Sequence, residues 1–538
     1  METEPCSHLN RLTAQADAEQ EALLLRILRE NRDTELGRRY RFSEIKSAAD
    51  FAKSVPLSTF EDYEELIERT VNGENGVFMA ARPYFYCISS GSTGAPKFLP
   101  LSEESARVQH VYLDGVLDGM IQARHAPDEP ICRFPTADVF CTHMPDGTAN
   151  GVRSGLAPVY AREKGDFPFA QYYAPEAVLF PEKLTDMLYV KLRFALARRD
   201  ITDIEGVFVH QLTWMFHFMK EHWDELLDDM ENGRVSQGFA VDEEWKAYLL
   251  QTLPPDPERA AELRAVDFSS DCPIKAIWPN VRLVRMIFGV QYRNYETILR
   301  RTIGDLPVNS FAYAATEGFL GIAWGMDSSG TYLLLPDACY FEFLPEDGGG
   351  KPLGLTELEQ GQRYELLITT VSGLYRYRIG DVVEVTGFVG KAPLVRVLYR
   401  KNQILSVIDE KYTASQFEDA MQLFLRYCKL SASGFCISGG IRADEPVYRL
   451  FLETEDLLPQ NAEEIFDDCL RLNSLGYRSA RNMHELGMPS IALVEAGSFR
   501  AYEEIKAARR SRSEQAKPIW VAVSDEEIEY FERRVKTC

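Results

Sequence analysis

Cysteine is present but never paired: the ten cysteines run from Cys6 to Cys538 without a single C-x-x-C spacing. That pattern argues against a disulfide framework or a structural zinc site, and it suits a reducing cytoplasm. No uninterrupted apolar run approaches the ~20 residues that span a bilayer. The polar, acidic start lacks the basic residues and apolar stretch of a signal peptide, so a soluble cytoplasmic protein is expected. Positive charge is in deficit, with 59 Lys and Arg against 82 Asp and Glu and a formal net charge of −23. Such a field repels nucleic acid and anionic membrane at long range, and neither is expected as a partner. Histidine is sparse. His143, His210, His217 and His222 show neither metal-ligand spacing with nearby acids nor a Ser-His-Asp pattern. Internal repeats and low-complexity tracts are missing as well.

What is present is enough apolar material for more than one core. The chain has 538 residues, 45% of them hydrophobic and 11% aromatic, and that length exceeds what a single core usually serves. Helical spacing marks residues 14–31, a segment after Pro56 capped by Ser58 or Thr59, and 102–121, 183–198 and 211–231. Short apolar runs such as Ile204–Val209 and Val281–Phe288 lie between them, which predicts an α/β fold. From Tyr332 onward the texture becomes β-rich, with Leu333–Leu335, Tyr340–Leu344, Tyr364–Ile368, Val382–Val385 and Val395–Tyr399 separated by Gly, Asp and Pro. The polar break Arg400-Lys401-Asn402-Gln403 divides a large domain, residues 1–400, from a small α+β domain, residues 401–538. In the small domain, helices near 413–428 and 461–474 alternate with strands near 446–453 and 489–495.

The most informative stretch is Tyr86–Lys97. An apolar strand ends in Ser89, Ser90, Gly91, Ser92, Thr93 and Gly94, a set of hydroxyls and glycines suited to wrapping an anion with O–H and backbone N–H donors. Lys97 adds a cation at the rim. The spacing is not that of a Walker P-loop; it resembles the phosphate loop of adenylate-forming enzymes. Two further motifs follow in order, Tyr313-Ala-Ala-Thr316-Glu317-Gly318 and Leu374-Tyr-Arg-Tyr-Arg-Ile-Gly-Asp381. Together with Val55-Pro-Leu, Trp223-Asp-Glu-Leu-Leu, Ile277-Trp-Pro-Asn, Phe341-Glu-Phe-Leu-Pro and Arg400…Lys411, they resemble the Gretchen Hagen family of acyl-acid amido synthetases. That family belongs to the superfamily of luciferases, acyl-CoA ligases and peptide-synthetase adenylation domains. The likeness covers essentially the whole chain.

The resemblance implies a large adenylating domain hinged near Arg400 to a mobile C-terminal domain, with ATP and Mg²⁺ as cofactors. A carboxylate would displace pyrophosphate, and an amine, an amino acid first of all, would then take the acyl group and release AMP. Two anions must meet in that first step, so charge neutralisation is the main task. The resemblance assigns Ser89–Gly94 and Lys97 to the β- and γ-phosphates, Thr316 to the α-phosphate and Glu317 to Mg²⁺. It assigns Asp381 to the ribose hydroxyls, Tyr340 or Phe341 to the adenine, and Lys411 to the α-phosphate during attack. Tyr313 and Arg400 belong to the same nucleotide motifs, and Lys517 lies near a family lysine position. Met286–Val290 and the helix 102–121 would border the acyl pocket. Ala315-Thr316 replaces the usual Ser-Ser, and the first motif is closer to the broader superfamily form, so indole-acetate or jasmonate specificity does not transfer.

Read alone, several of these residues have plainer roles. Glu317 would be a helix-start acid, Asp381 a turn residue, Lys411 a surface lysine, Phe341 core, and Arg376 and Arg378 a solvated strand face. Two other functions stay open: an acyl-CoA or acyl-protein ligase sharing the adenylation step, and a non-catalytic nucleotide-binding protein.

Overall fold

The computed structural model describes the chain apart from residues 1–3, 91–95, 126–129, 137–150, 153, 156–161, 163, 182–186, 288–298, 327–328, 347–349, 401–404, 406, 409, 411, 413, 444, 500, 503–504, 506–520, 523–524 and 537–538. It falls into two compact units. One comprises residues 1–89, 96–290 and 299–399, and the other residues 90–95, 291–298 and 400–538.

In the large unit the 14–31 periodicity resolves into helices Glu4–Ala14 and Ala16–Glu30, with Leu24, Ile27 and Leu28 buried as their spacing requires. The first strands are β1 (Phe85–Ser90), β2 (Pro96–Leu101), β3 (Arg133–Pro135), β4 (Ser154–Gly155), β5 (Asp203–Phe208), β6 (Leu283–Ile287) and β7 (Val308–Asn309). β3, β5, β6 and β7 make one parallel sheet in that order, and β2, β1 and β4 make a second sheet in which β1 and β4 run parallel. Phe134, Ile204 and Val284 are fully buried, as centres of a parallel sheet covered on both faces should be. The helix expected over 102–121 runs from Glu103 to His125, but its middle, Val111–Leu117, is wound as a π-helix. There the Tyr112 hydroxyl reaches both carboxylate oxygens of Asp337, at 2.7 and 2.8 Å. The helix expected over 211–231 is divided at His222 into Val209–Glu221 and Trp223–Asn232.

The β-rich region supplies β8 (Ala312–Ala315), β9 (Gly318–Ala323), β10 (Thr331–Leu334), β11 (Cys339–Pro345), β12 (Arg363–Thr370), β13 (Tyr377–Val389) and β14 (Ala392–Arg400). Among the described residues they form one sheet in the order β11-β12-β13-β14-β10-β9-β8. Helix Ala16–Glu30 lies on it. Its buried Gln20 accepts from Phe341 N at 2.7 Å and donates to the carbonyls of Pro336 and Cys339, both at 2.6 Å.

The turn joining β12 to β13 is pinned by Arg376, which departs from the expected solvated strand face. Arg376 is buried and precedes the strand, and its φ of +49° is one that side-chain-bearing residues seldom adopt. Its guanidinium grips Glu342 on β11 with contacts of 2.8–3.1 Å and donates to the carbonyls of Ala52 and Val55 at 2.9 and 2.8 Å. Ser58 does not cap the helix after Pro56. Its hydroxyl donates to the Tyr375 carbonyl at 2.8 Å, and Thr59 precedes a short 3₁₀ turn, Phe60–Asp62, that leads into helix Glu64–Val71. Arg378 pairs instead with Glu365 at 2.7 Å on the neighbouring strand.

In the C-terminal unit, helices Ala414–Cys428 and Ala462–Asn473 match the sequence reading. They accompany β15 (Ala432–Arg442), β16 (Glu445–Thr454) and β17 (Ser490–Leu493), with β16 central. β15 was not anticipated. Gly434, Gly439 and Gly440 dilute its strand signal, yet Gly434 is required because a Cβ there would run into the Phe499 ring.

Removing one partner of a buried, fully bonded ion pair strands the other, so Arg376→Ala is expected to cost about 3–5 kcal/mol in denaturant unfolding. A loss under about 1 kcal/mol would show that the turn is held by something else. In the C-terminal unit the Glu485 carboxyl is pushed up to about 7, first by burial and then by the charge of Glu410. The folded unit therefore binds this proton more tightly than the unfolded chain, whose ordinary value is 4.5. Stability is greatest below about 4.5 and is lost as pH rises towards about 7. Glu485→Gln should thus raise the melting temperature of this unit at pH 8 and leave it unchanged at pH 4.5; parallel curves for the two proteins would contradict this.

Candidate functional site

The first motif is a strand–loop–strand. Phe85, Tyr86 and Cys87 are buried and fix the course of β1, whose last residues are Ser89 and Ser90. Lys97 is the second residue of β2, and Arg400 ends β14. For these four only the backbone is described. Gly91, Ser92, Thr93, Gly94, Lys411 and Lys517 lie outside the described residues.

The second motif is the tip of a hairpin rather than a helix start. Ala315 pairs with Gly318, which leaves Thr316 and Glu317 as the two-residue loop between β8 and β9. The Thr316 hydroxyl donates to Glu317 Oε2 at 3.0 Å, and Glu317 is only 8% exposed. Burial raises the Cys87 thiol to about 12, and the charge of Glu317 adds to the shift. The strand leading into the Ser/Gly loop therefore runs beside the carboxylate of the second motif.

The third motif owes its geometry to a bulge. Between the pairs Leu367↔Arg378 and Glu365↔Val382, β12 has one residue and β13 has three, Ile379, Gly380 and Asp381. Gly380 takes a φ of +86°, which a glycine reaches without a Cβ penalty. The surplus re-aims the strand, and Asp381 Oδ2 accepts a 2.7 Å hydrogen bond from the Tyr313 hydroxyl of β8. Asp381 is thus a buried sheet carboxylate, not a turn residue. The Tyr313–Asp381 hydrogen bond joins the second motif to the third, and the charge of Glu317 is felt at Cys87 on the strand that leads into the first. Ser372 adds a further tie, because its Oγ accepts from Ser102 N at 3.0 Å and ties the turn after β12 to the start of helix Glu103–His110.

The two aromatic residues expected at the adenine are placed differently. Phe341 is fully buried in the main core, and Tyr340, 8% exposed, packs edge-on against Phe51 at 6.0 Å. Neither ring offers an open face to a base, because both are buried in the main core from the two sides of β11.

The sequence reading missed a buried charge quartet. Arg285 on β6 bonds Glu205 of β5 at 2.8 Å and Asp118 at 2.7 Å, and Arg133 of β3 bonds Asp118 at 2.6 Å. Its signal was available in charged residues set inside apolar strands, as in Cys132-Arg133-Phe134 and Val284-Arg285-Met286. The quartet fixes β3, β5 and β6 against helix Asp118–His125.

Models of three consecutive domains match this sequence: the GH3 family N-terminal domain over 6–308, the central domain over 332–400 and the C-terminal domain over 415–526. The chain belongs to the GH3 family. Among similar GH3 proteins, the jasmonoyl–L-amino acid synthetase JAR4 of Nicotiana attenuata is 28% identical, over 91% of this chain and 88% of its own. The indole-3-acetic acid-amido synthetase GH3.3 of Arabidopsis thaliana is 27% identical over 95% and 90%. The structure of AtGH3.15 acyl acid amido synthetase in complex with 2,4-DB aligns with a TM-score of 0.69 at 24% identity, covering 100% of this chain and 98% of that one. A 2-hydroxyisobutyryl-CoA ligase aligns at 0.50 and 13% identity, a likeness of fold. The adenylate-forming fold expected from the sequence, a large N-terminal domain followed by a smaller C-terminal one, is therefore the fold of this GH3 chain.

In this GH3 protein Tyr313→Phe removes a donor from a buried carboxylate, an interaction of about 1.5–3 kcal/mol. ATP should bind about tenfold more weakly, measured by calorimetry, with the melting temperature little changed. Unaltered ATP affinity would remove the Tyr313–Asp381 pair from the site.

Proposed function

We propose that the protein is an ATP-dependent acyl-acid amido synthetase. It adenylates a small carboxylic acid and transfers the acyl group to an amine, in first place the amine of an amino acid. Support comes from the relatives' shared activity and above all from the Tyr313–Asp381 hydrogen bond, which ties the second motif to the third.

In the first half-reaction a carboxylate oxygen attacks the α-phosphorus of ATP, and the bond to the pyrophosphate oxygen breaks. Donors along Ser89–Gly94 and the charge of Lys97 hold the departing phosphates. Thr316 orients the α-phosphate, and Asp381, itself positioned by Tyr313, accepts the ribose hydroxyls. Lys411 neutralises charge at the α-phosphate as the two anions meet. No group of three or more His, Cys, Asp and Glu among the described residues could cage a metal alone. Glu317, a single buried carboxylate, would hold Mg²⁺, a cation that commonly needs only one or two protein carboxylates. When bound, Mg²⁺ supplies charge neutralisation across the phosphates. In the second half-reaction a neutral amine attacks the acyl carbon, the amide bond forms, the bond to AMP oxygen breaks, and the amine loses a proton. The acid would lie between helix Glu103–His125 and the carboxyl ends of β5 and β6.

Screening aryl, indolyl and straight-chain acids by pyrophosphate release, followed by the twenty amino acids with the best acid, tests this reading. Amide and AMP should form together, whereas a CoA thioester as the sole product would overturn the acceptor assignment. With that acid, Glu317→Gln and Lys411→Ala should each slow acid-dependent ATP–pyrophosphate exchange by at least about 100-fold. Parental exchange in either would remove that residue from the chemistry.

A further inference from the structure

We infer that the π-wound turn Val111–Leu117 sets which acids the enzyme accepts, and that Tyr112 and Asp337 are positioning residues that hold it in that form. This rests on the proposed seat of the acid along helix Glu103–His125.

The turn is fastened at both ends. Near its start Tyr112 is buried, and its hydroxyl shares one proton between Asp337 Oδ1 and Oδ2, at 2.7 and 2.8 Å. The Tyr112 ring lies beside Phe319 of β9, with centroids 6.5 Å apart and planes 21° apart. Asp337 itself stands between β10 and β11. Just past the turn, Asp118 accepts from Arg133 at 2.6 Å and from Arg285 at 2.7 Å. Tyr112 is thus tied to the seven-stranded sheet and Asp118 to the parallel one. A helix with a free end takes up a surplus residue by rotating that end. Here neither flank can rotate, so the surplus widens the coil into a π-turn.

Two local preferences are broken at this place. π winding is one. The other is Gly115, an exposed glycine inside a helix, where alanine would be more favourable. No neighbour demands it, because a Cβ there would meet nothing within 4 Å. Breaches of local preference without a packing cause belong to functional positions, as π-turns often do. On the half-buried side of the turn Leu113 packs with Leu117, Ile121, Leu283 and Met326. Asn309 fixes Met326, donating from Nδ2 to its Sδ at 3.6 Å and to Gly325 O at 3.1 Å. The wall is apolar, and both arginines at Asp118 are already engaged, Arg285 also by Glu205 at 2.8 Å. An acid along it meets aliphatic and thioether surface. That surface suits a monocarboxylic acid with an apolar body and penalises a second carboxylate.

Acid preference separates this role from mere folding. The probes are hexanoate, octanoate and decanoate, benzoate, phenylacetate and 3-phenylpropanoate, and the acetate, propanoate and butanoate of indole. Each is compared by kcat/KM for the acid in pyrophosphate release. One methylene in an apolar pocket is worth about 10–200-fold in such a comparison. Tyr112→Phe frees one flank and deletion of Gly115 removes the surplus residue, so both let the helix return to α winding. Each should change the ratio between neighbouring acids of a series by at least about 10-fold, in the same sense, with KM for ATP moving less than about twofold. In the parent, octanedioate and decanedioate should fall at least about 10-fold below octanoate and decanoate. Equal use of diacid and monoacid would overturn the apolar wall. A single factor common to all acids in Tyr112→Phe would show a purely structural role and overturn the inference, leaving the proposed function standing. Opposite senses in the two variants would overturn it as well. A parent that releases no pyrophosphate with any of these acids would overturn the proposed function, and the inference with it.

Discussion

The fork between Arg376 and Glu342 is the constraint on which the large unit depends. Five donor contacts from one guanidinium hold a backbone conformation that an arginine would otherwise avoid, and they knit residues 52–58, β11 and the entry to β13 into a single knot. Tyr375 adds to the knot, receiving the Tyr63 hydroxyl's acceptance of its N–H at 2.8 Å and donating its own hydroxyl to Phe78 O at 2.9 Å. Because β13 starts at this knot, the register of the whole strand follows from it. Four residues after its start the bulge at Gly380 delivers Asp381 to Tyr313.

A second theme is the economy of charge. The chain is strongly anionic overall, yet several buried or half-buried carboxylates are bonded to particular donors: Glu342 to Arg376, Glu205 and Asp118 to Arg285, Asp381 to Tyr313, Glu410 to two amides and a tyrosine. Such groups are costly to bury unless paired. Several arginines of the large unit are committed to structure, so in the proposed function neutralisation of a triphosphate would fall to backbone amides, hydroxyls, lysines and a bound cation. That division fits a loop rich in Ser, Thr and Gly better than a cluster of arginines.

Much of this was legible in the residues. Apolar periodicity located the helices at 16–30 and 414–428 and the strands of the β-rich region, because burial of one face sets those patterns directly. The second and third motifs stood out by their small and acidic residues, but the hairpin tip at Glu317 and the bulge before Asp381 were not visible in them. Less visible were features decided by distant partners. β15 is written in glycines whose need appears only once Phe499 is in place, and the burial of Arg376 depends on Glu342, far away in sequence. Tyr340 and Phe341 carried an aromatic signature that core packing and ligand stacking share, and the covering helix decided it for the core.

The central claim is that a carboxylate oxygen attacks the α-phosphorus of ATP within the patch formed by the three motifs. Carrying out one turnover with an acid labelled with ¹⁸O in both carboxylate oxygens, then recovering the nucleotide and phosphate products for mass spectrometry, tests it most directly. The account predicts one labelled oxygen in AMP and none in pyrophosphate. Label in inorganic phosphate, with ADP as the nucleotide product, would mean attack at the γ-phosphorus and would contradict it.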